Sequence, residues 1–140
     1  RTPWPLTQSA ELYRANVLEP ISFEGDRFDS VGLNYLLHCL PGEIRAKGAA
    51  VFGHLTPLLS PGAVVFGATL LHDGVRRNWF ARQVMRRNND HGIFSNASDD
   101  LAGLTDALGA AFVDPRIEVI GCVAVFAARV PPTRPQHPRA

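Results

Sequence analysis

Residues Phe28–Gly42, FDSVGLNYLLHCLPG, decide how the rest of the chain is read. Asp29 precedes a short apolar run through Val31 and Leu33. The run stops at Asn34, and Tyr35-Leu36-Leu37-His38-Cys39 then leads to Pro41-Gly42. Such a run bounded by turn residues fits a strand covered on both faces of a parallel sheet, and by periodicity alone it also fits part of a helix. We read it as a strand ending in a loop. In open α/β sheets ligands lie beyond the carboxyl ends of the strands, so Asn34–His38 falls where a ligand would sit.

Downstream, Glu43–Leu55 reads as a helix, because Ile44, Gly48, Val51, Phe52 and Leu55 recur at spacings of three and four and form one apolar face. Pro57 and a Ser60-Pro61-Gly62 turn end it. Ala63–Leu71, AVVFGATLL, is nearly continuous in apolar residues and reads as a parallel strand covered on both faces. Its end, Leu71-His72-Asp73-Gly74, makes a second loop at the same edge. Val75–Asn89 reads as a helix carrying Arg76, Arg77, Arg82, Arg86 and Arg87 among Trp79, Phe80 and Met85. Guanidinium groups interleaved with rings suit an anionic or nucleic-acid ligand, but a solvated basic face opposite an apolar one is the favoured reading. Asn88–Gly92 is turn chemistry and Ile93–Ser98 a loop. Ser98 before Asp99-Asp100 predicts a helix cap, and Leu101, Leu104, Leu108, Ala111 and Phe112 predict a core-facing stripe. Asp114-Pro115 is expected to break that helix, and Ile117–Ile120 and Val123–Ala128 to be the last two strands.

Upstream, Leu12–Val17 alternates as a strand does, and Glu19-Pro20 ends it. Pro3 and Pro5 leave Arg1–Ser9 irregular. Pro131, Pro132, Pro135 and Pro138 predict a disordered tail over 131–140, with one domain over 1–130.

The 140 residues suffice for one domain with a core, and 46% apolar with 19% charged is ordinary for a globular protein. A net charge of +1 gives no argument for nucleic acid. Cys39 and Cys122 stand apart without a C-x-x-C companion, which predicts neither a disulfide framework nor a metal site. No apolar run approaches the ~18 residues of a membrane span and no signal segment begins the chain, so a cytoplasmic protein is expected.

Three blocks, ELYRANVLEP before the central stretch, FDSVGLNYLLHCLPG itself, and KGAAVFGHLTPLLSPGAVVFGATLL after it, together resemble the later strands of a class I S-adenosylmethionine-dependent methyltransferase. That family has an Asp-containing strand running into N-x-x-L-H-x-L, then a helix, then L-x-P-G-G before the fifth strand, with Ala63 here in place of the second glycine. The resemblance covers about Glu11 to Arg129. It implies an α/β, partial Rossmann-like methyltransferase fold, a mostly parallel sheet with an antiparallel last strand and helices on both faces. It also implies S-adenosyl-L-methionine as cofactor, bound by Asn16, Val17, Asn34, Tyr35 and His38. Asn16 stands where the family often has an acid against the adenine amine. Trp79, Phe80, Met85 and Phe94 would line the pocket of a small-molecule methyl acceptor.

The family's glycine-rich turn and the acid that holds the ribose occur nowhere in these residues, and the chain starts at Arg1 without Met. We therefore expect the carboxyl-terminal portion of a longer catalytic domain, inactive alone. The missing amino-terminal half, or a second copy, would cover its exposed edges. The alternative is a non-catalytic methyltransferase-like interaction or regulatory module. For proton removal from an acceptor, His38, His72 and His91 are the candidates, each on a loop or element end near the ligand edge. His38 suits a wall of the cofactor site better than a catalyst, and His54 and His137 read as surface or helix residues. Cys39 beside His38 suggests a Cys/His nucleophile, but sequence neighbours in a loop rarely face each other. No nucleophile elbow, phosphate loop or H-E-x-x-H pair is present.

Overall fold

The computed structural model describes residues 10–132. The order is β1 (Phe28–Asn34), a single 3-10 turn at Leu37–Cys39, α1 (Ile44–Leu55), a second 3-10 turn at Thr56–Leu58, β2 (Leu59–Leu70), α2 (Trp79–Asp90), α3 (Leu101–Ala111), β3 (Val113–Ile120) and β4 (Val123–Arg129). The strands form one four-stranded sheet in the order β1-β2-β4-β3. β1 and β2 run parallel, joined through α1 as a parallel pair requires, while β4 is antiparallel to both of its neighbours. The antiparallel last strand is as expected. The sheet as a whole is mixed, with one parallel and two antiparallel pairings among the described strands.

Side chains alternate along β2, and its inward set, Ala63, Val65, Gly67 and Thr69, faces α1 and α3 together with Ala124, Phe126 and Ala128 of β4. Phe52 of α1 meets Phe112 at 5.3 Å and Phe126 at 6.3 Å, ring centroid to centroid, at the centre of this core. Burying such a ring contributes about 1.5–3 kcal/mol. Among the described residues α1 and α3 lie on this one face. The opposite face, with Phe66 and Val125 exposed, borders an open groove whose walls include Asn34, Arg116 and Glu118. The expected cover on both faces of β1 and β2 is therefore present on one. β1 is an edge strand in which Leu33 alone is buried.

α1 follows its periodicity, with Ile44, Gly48, Val51, Phe52 and Leu55 all buried. Leu12–Val17 forms no strand: Leu12 is 95% exposed and the segment pairs with no strand among the described residues, so alternation without a neighbouring edge to bond gives irregular chain. The Ser60-Pro61-Gly62 turn is a bulge inside β2, where the register jumps from Phe28↔Leu59 to Ser30↔Val64 and Gly62 takes φ +78°. Asp114-Pro115 is likewise absorbed into β3 as an irregularity between Val113 and Arg116. Asp100, not Ser98, caps α3, its side chain accepting the Gly103 N–H at 2.8 Å. Leu101 of the predicted stripe is exposed, because it occupies the first helical position ahead of the buried Leu104, Ala107 and Leu108.

α2 starts at Trp79, since Asn78 accepts the Ala81 N–H at 2.8 Å and sets the cap there, leaving Arg76 and Arg77 outside the helix. Arg1–Ser9 and the residues beyond 132 in the predicted tail lie outside the described residues. No helix among the described residues is long and apolar enough to cross a membrane.

Candidate functional site

Parallel pairing in the register Asn34↔Ala68 brings the ends of β1 and β2 to one edge. The Tyr35 N–H extends the ladder by one bond, donating to Ala68 O at 2.8 Å, and Tyr35 then reverses the chain at φ +55°. A non-glycine residue in that left-handed region is uncommon and marks a constrained turn. It sends Leu37 and His38 inward while Asn34 and Tyr35 stay exposed.

His38 is 3% exposed. Its Nδ1 lies 3.4 Å from both the Leu70 N–H and Thr69 Oγ1. An amide N–H can only donate, so Nδ1 accepts and the ring proton resides on Nε2. Phe94 packs edge-on against the ring at 4.8 Å and Tyr35 at 5.9 Å. Burial first, and the Lys47 charge second, hold the imidazole below its ordinary range, so the ring is neutral. Taking up a proton here would create a buried cation near an ammonium group, which makes His38 a poor base and a suitable wall. Cys39 points elsewhere, its thiol 3.7 Å from Tyr35 O, and forms no pair with His38.

The second loop carries His72, half-buried at the end of β2. Burial, then the Arg77 charge, lowers its pKa, and Asp73 partly opposes them. A neutral, accessible imidazole results. His91 sits apart, exposed at the C-terminus of α2 with Nδ1 donating to Arg87 O at 2.7 Å. Of the predicted acceptor-pocket residues, Phe94 touches His38 and Met85 is buried, whereas Trp79 and Phe80 stand in the open at the start of α2. Asn16 closes a local turn, its side-chain oxygen accepting the Leu18 N–H at 3.1 Å, and Val17 leans on the core.

Sequence reasoning missed a buried polar hub behind these loops. Lys47 Nζ lies 2.7 Å from Asp99 Oδ2 and donates to the carbonyls of Ser95 at 2.7 Å and Leu40 at 3.1 Å. Asp99 O accepts the N–H groups of His72 and Asp73, and Ser95 N–H donates to His38 O at 2.8 Å. Asn96, fully buried, donates to Leu70 O at 3.1 Å, and its Oδ1 accepts from Asn89 at 2.9 Å. Burial pushes the Asp99 carboxyl above its ordinary range against the pull of Lys47. One signal was available: Lys47 falls on the same face of α1 as Ile44 and Val51.

Against known proteins, no family model matches the chain. It is 42% identical over 127 residues to the methyltransferase ctvB of Aspergillus terreus, across 90% of this chain and 55% of that protein. It is 44% identical over 115 residues to the demethylluteothin O-methyltransferase of Streptomyces thioluteus, across 82% of this chain and 50% of that protein. The chain thus spans about half the length of the curated relatives it matches. Its fold is shared with human N-acetylserotonin methyltransferase, solved in complex with SAM, at a TM-score of 0.58 and 16% identity over 85% of this chain and 33% of that one. The chain is thus similar in sequence to proteins named as methyltransferases, and its fold is one that solved methyltransferases share. Its relatives at this identity include proteins named as O-methyltransferases.

Proposed function

We propose that this chain is the later portion of a catalytic domain that moves a methyl group from S-adenosylmethionine to a hydroxyl oxygen on a small molecule. The observation that carries the reading is the parallel β1/β2 pair, which sets the Asn34–Cys39 and Leu71–Gly74 loops side by side. Oxygen as the acceptor atom rests on the names of the relatives. The residues present suit one wall of a cofactor site: Asn34 and Tyr35 offer polar groups to solvent, and His38 backs them with a neutral, aromatic-packed ring. Asn16 and Val17 would meet the adenine, Asn16 through the second lone pair of its amide oxygen. The glycine-rich turn would come from sequence outside these residues.

When bound, the cofactor supplies a methyl group on a positively charged sulfur. This chain's part is to hold and orient, which can account for much of a rate, and to take the hydroxyl proton. We assign that proton to His72, whose imidazole is neutral and reachable, with Phe94, Met85, Trp79 and Phe80 on the acceptor side. His38 orients the cofactor, and His91 plays no part at its exposed position.

The test is titration calorimetry of S-adenosylmethionine and its demethylated product into the protein extended upstream. Asn34→Ala and His38→Ala should each weaken binding by about tenfold, or ~1.4 kcal/mol, and unchanged affinity in both would sink the site. His72→Ala should keep cofactor affinity and lower turnover by roughly 10²–10⁴-fold. A second reading, a non-catalytic interaction module, draws on the open sheet face with Phe66 and Val125 exposed. It takes the lead if the extended protein binds neither compound.

A further inference from the structure

Among the buried groups, the Lys47–Asp99 pair has no role in the chemistry above, yet its contacts reach both loops of the site. Lys47 sits on the first turns of α1 with its side chain 1% exposed, and Asp99 precedes α3 with its side chain wholly buried. An ion pair withdrawn this far from water gives up hydration that a hydrophobic pair of similar volume would not, so it is poor evidence of stabilisation for its own sake. Its connections are specific. Through Lys47 Nζ it holds Leu40 O, just past the turn that carries His38, and Ser95 O. Ser95 in turn gives its N–H to His38 O. Through its own carbonyl, Asp99 takes the N–H groups of His72 at 2.9 Å and Asp73 at 3.1 Å. Asn96, between Ser95 and Asp99, holds Leu70 O, the last carbonyl of β2. Three residues of one short segment, Ser95, Asn96 and Asp99, therefore bond to the loop after β1 and to the end of β2 with its loop, and the salt bridge anchors that segment to α1.

We propose that Lys47 and Asp99 are positioning residues: a buried clip that fixes the spacing of the Asn34–His38 loop relative to the His72 loop, and so presets the cofactor wall without touching the ligand. Its function in binding rests on the methyltransferase reading given above. The geometry of the clip does not.

Either single replacement leaves a buried charge alone and can unfold the protein, so the decisive variant is the double replacement Lys47→Met with Asp99→Leu, which removes both charges together. Lys47→Arg keeps the charge. In the full-length protein the double variant should fold, retain its circular dichroism, and lose affinity for S-adenosylmethionine by about tenfold, with Lys47→Arg recovering part of that loss. A readout free of cofactor is the nitrogen chemical shift of the His38 ring, assigned through His38→Gln. In the unaltered protein it should report the Nε2–H tautomer alone, and in the double variant a mixture. Unchanged cofactor affinity together with an unchanged His38 signal in a folded double variant overturns the clip. If the unaltered protein binds no cofactor, the methyltransferase reading fails, and the His38 signal by itself decides whether the clip sets the loop.

Discussion

In the loop after β1, His38 is 3% exposed, braced by two rings and tied by its carbonyl to Ser95. In the stretch after β2, Trp79 is 72% and Phe80 68% exposed, and Arg76, Arg77 and Arg82 line an open concavity of about 360 Å³. The two stretches start from adjacent strands at the same edge, and both carry aromatic residues, Tyr35 in the first and Trp79 and Phe80 in the second. They differ in what lies behind them: the first rests on α1 and the polar hub, while the second is held by the hub only at His72 and Asp73 and then leaves the sheet before α2 begins. The difference teaches that a prebuilt wall comes from packing beneath a loop, and that the side left open carries no such constraint.

The sharpest way to break this contrast is Lys47→Met. It strands a buried carboxylate and should cost about 3–5 kcal/mol of stability, read as a lower urea midpoint. A midpoint that stays put would mean that Asp99 is harmlessly protonated. Asn96→Ala orphans Leu70 O and an Asn89 donor and should cost about 1–3 kcal/mol by the same measurement.

The titration of the two histidines gives a subtler probe. Their folded pKa values lie below the ordinary 6.5, so below that value the unfolded chain binds more protons than the folded one. Stability should rise with pH through the window, be fully present above 6.5, and be lost as pH falls through the folded values. Asp99 acts in the opposite sense above 3.8, because its folded carboxyl keeps a proton that the unfolded one has released. His38→Gln should flatten the slope of melting temperature against pH below neutrality, and an unchanged slope would put the effect elsewhere. On the open side, Asn78→Ala should cost about 1 kcal/mol through loss of the α2 cap. Trp79→Ala and Phe80→Ala should move stability by no more than about 0.5 kcal/mol while raising the acceptor KM, and a large loss of stability would show that the aromatics are part of a core.

Much of the fold was legible because it is local. The apolar face of α1 declared itself in a spacing of three and four, and the run from Ala63 to Leu71 could be little but a strand. What failed was also local signal, overruled by partners. Ser60-Pro61-Gly62 and Asp114-Pro115 read as the ends of helices, which do stop ahead of them, yet each lies inside a strand that starts earlier than expected, as an irregularity in a ladder a neighbour supplied. Leu12–Val17 had the alternation of a strand but no edge beside it among the described residues. The Asn34–His38 loop could be placed at the carboxyl edge of the sheet because it follows a strand that pairs in parallel with the next, and that edge is where ligands gather in open α/β sheets. The hub behind it could not, since Lys47 reaches Ser95 across 48 residues of sequence and no periodicity encodes that meeting.

The connection between β3 and β4 bears on time. Ile120 pairs with Val123 across a loop of Gly121 and Cys122, and Gly121 at φ +64° supplies the left-handed first position of a tight hairpin turn. Hairpins of this kind close in about 1–10 μs, whereas β1 reaches β2 only after the whole of α1 has been laid down between them. We predict that pulse-labelled amide exchange during refolding will find Val123–Arg129 protected before Tyr35, and the reverse order would refute this. In refolding, the edge proposed to face the ligand is then the last part of the sheet to be completed, and the chain has a scaffold before it has a place to bind.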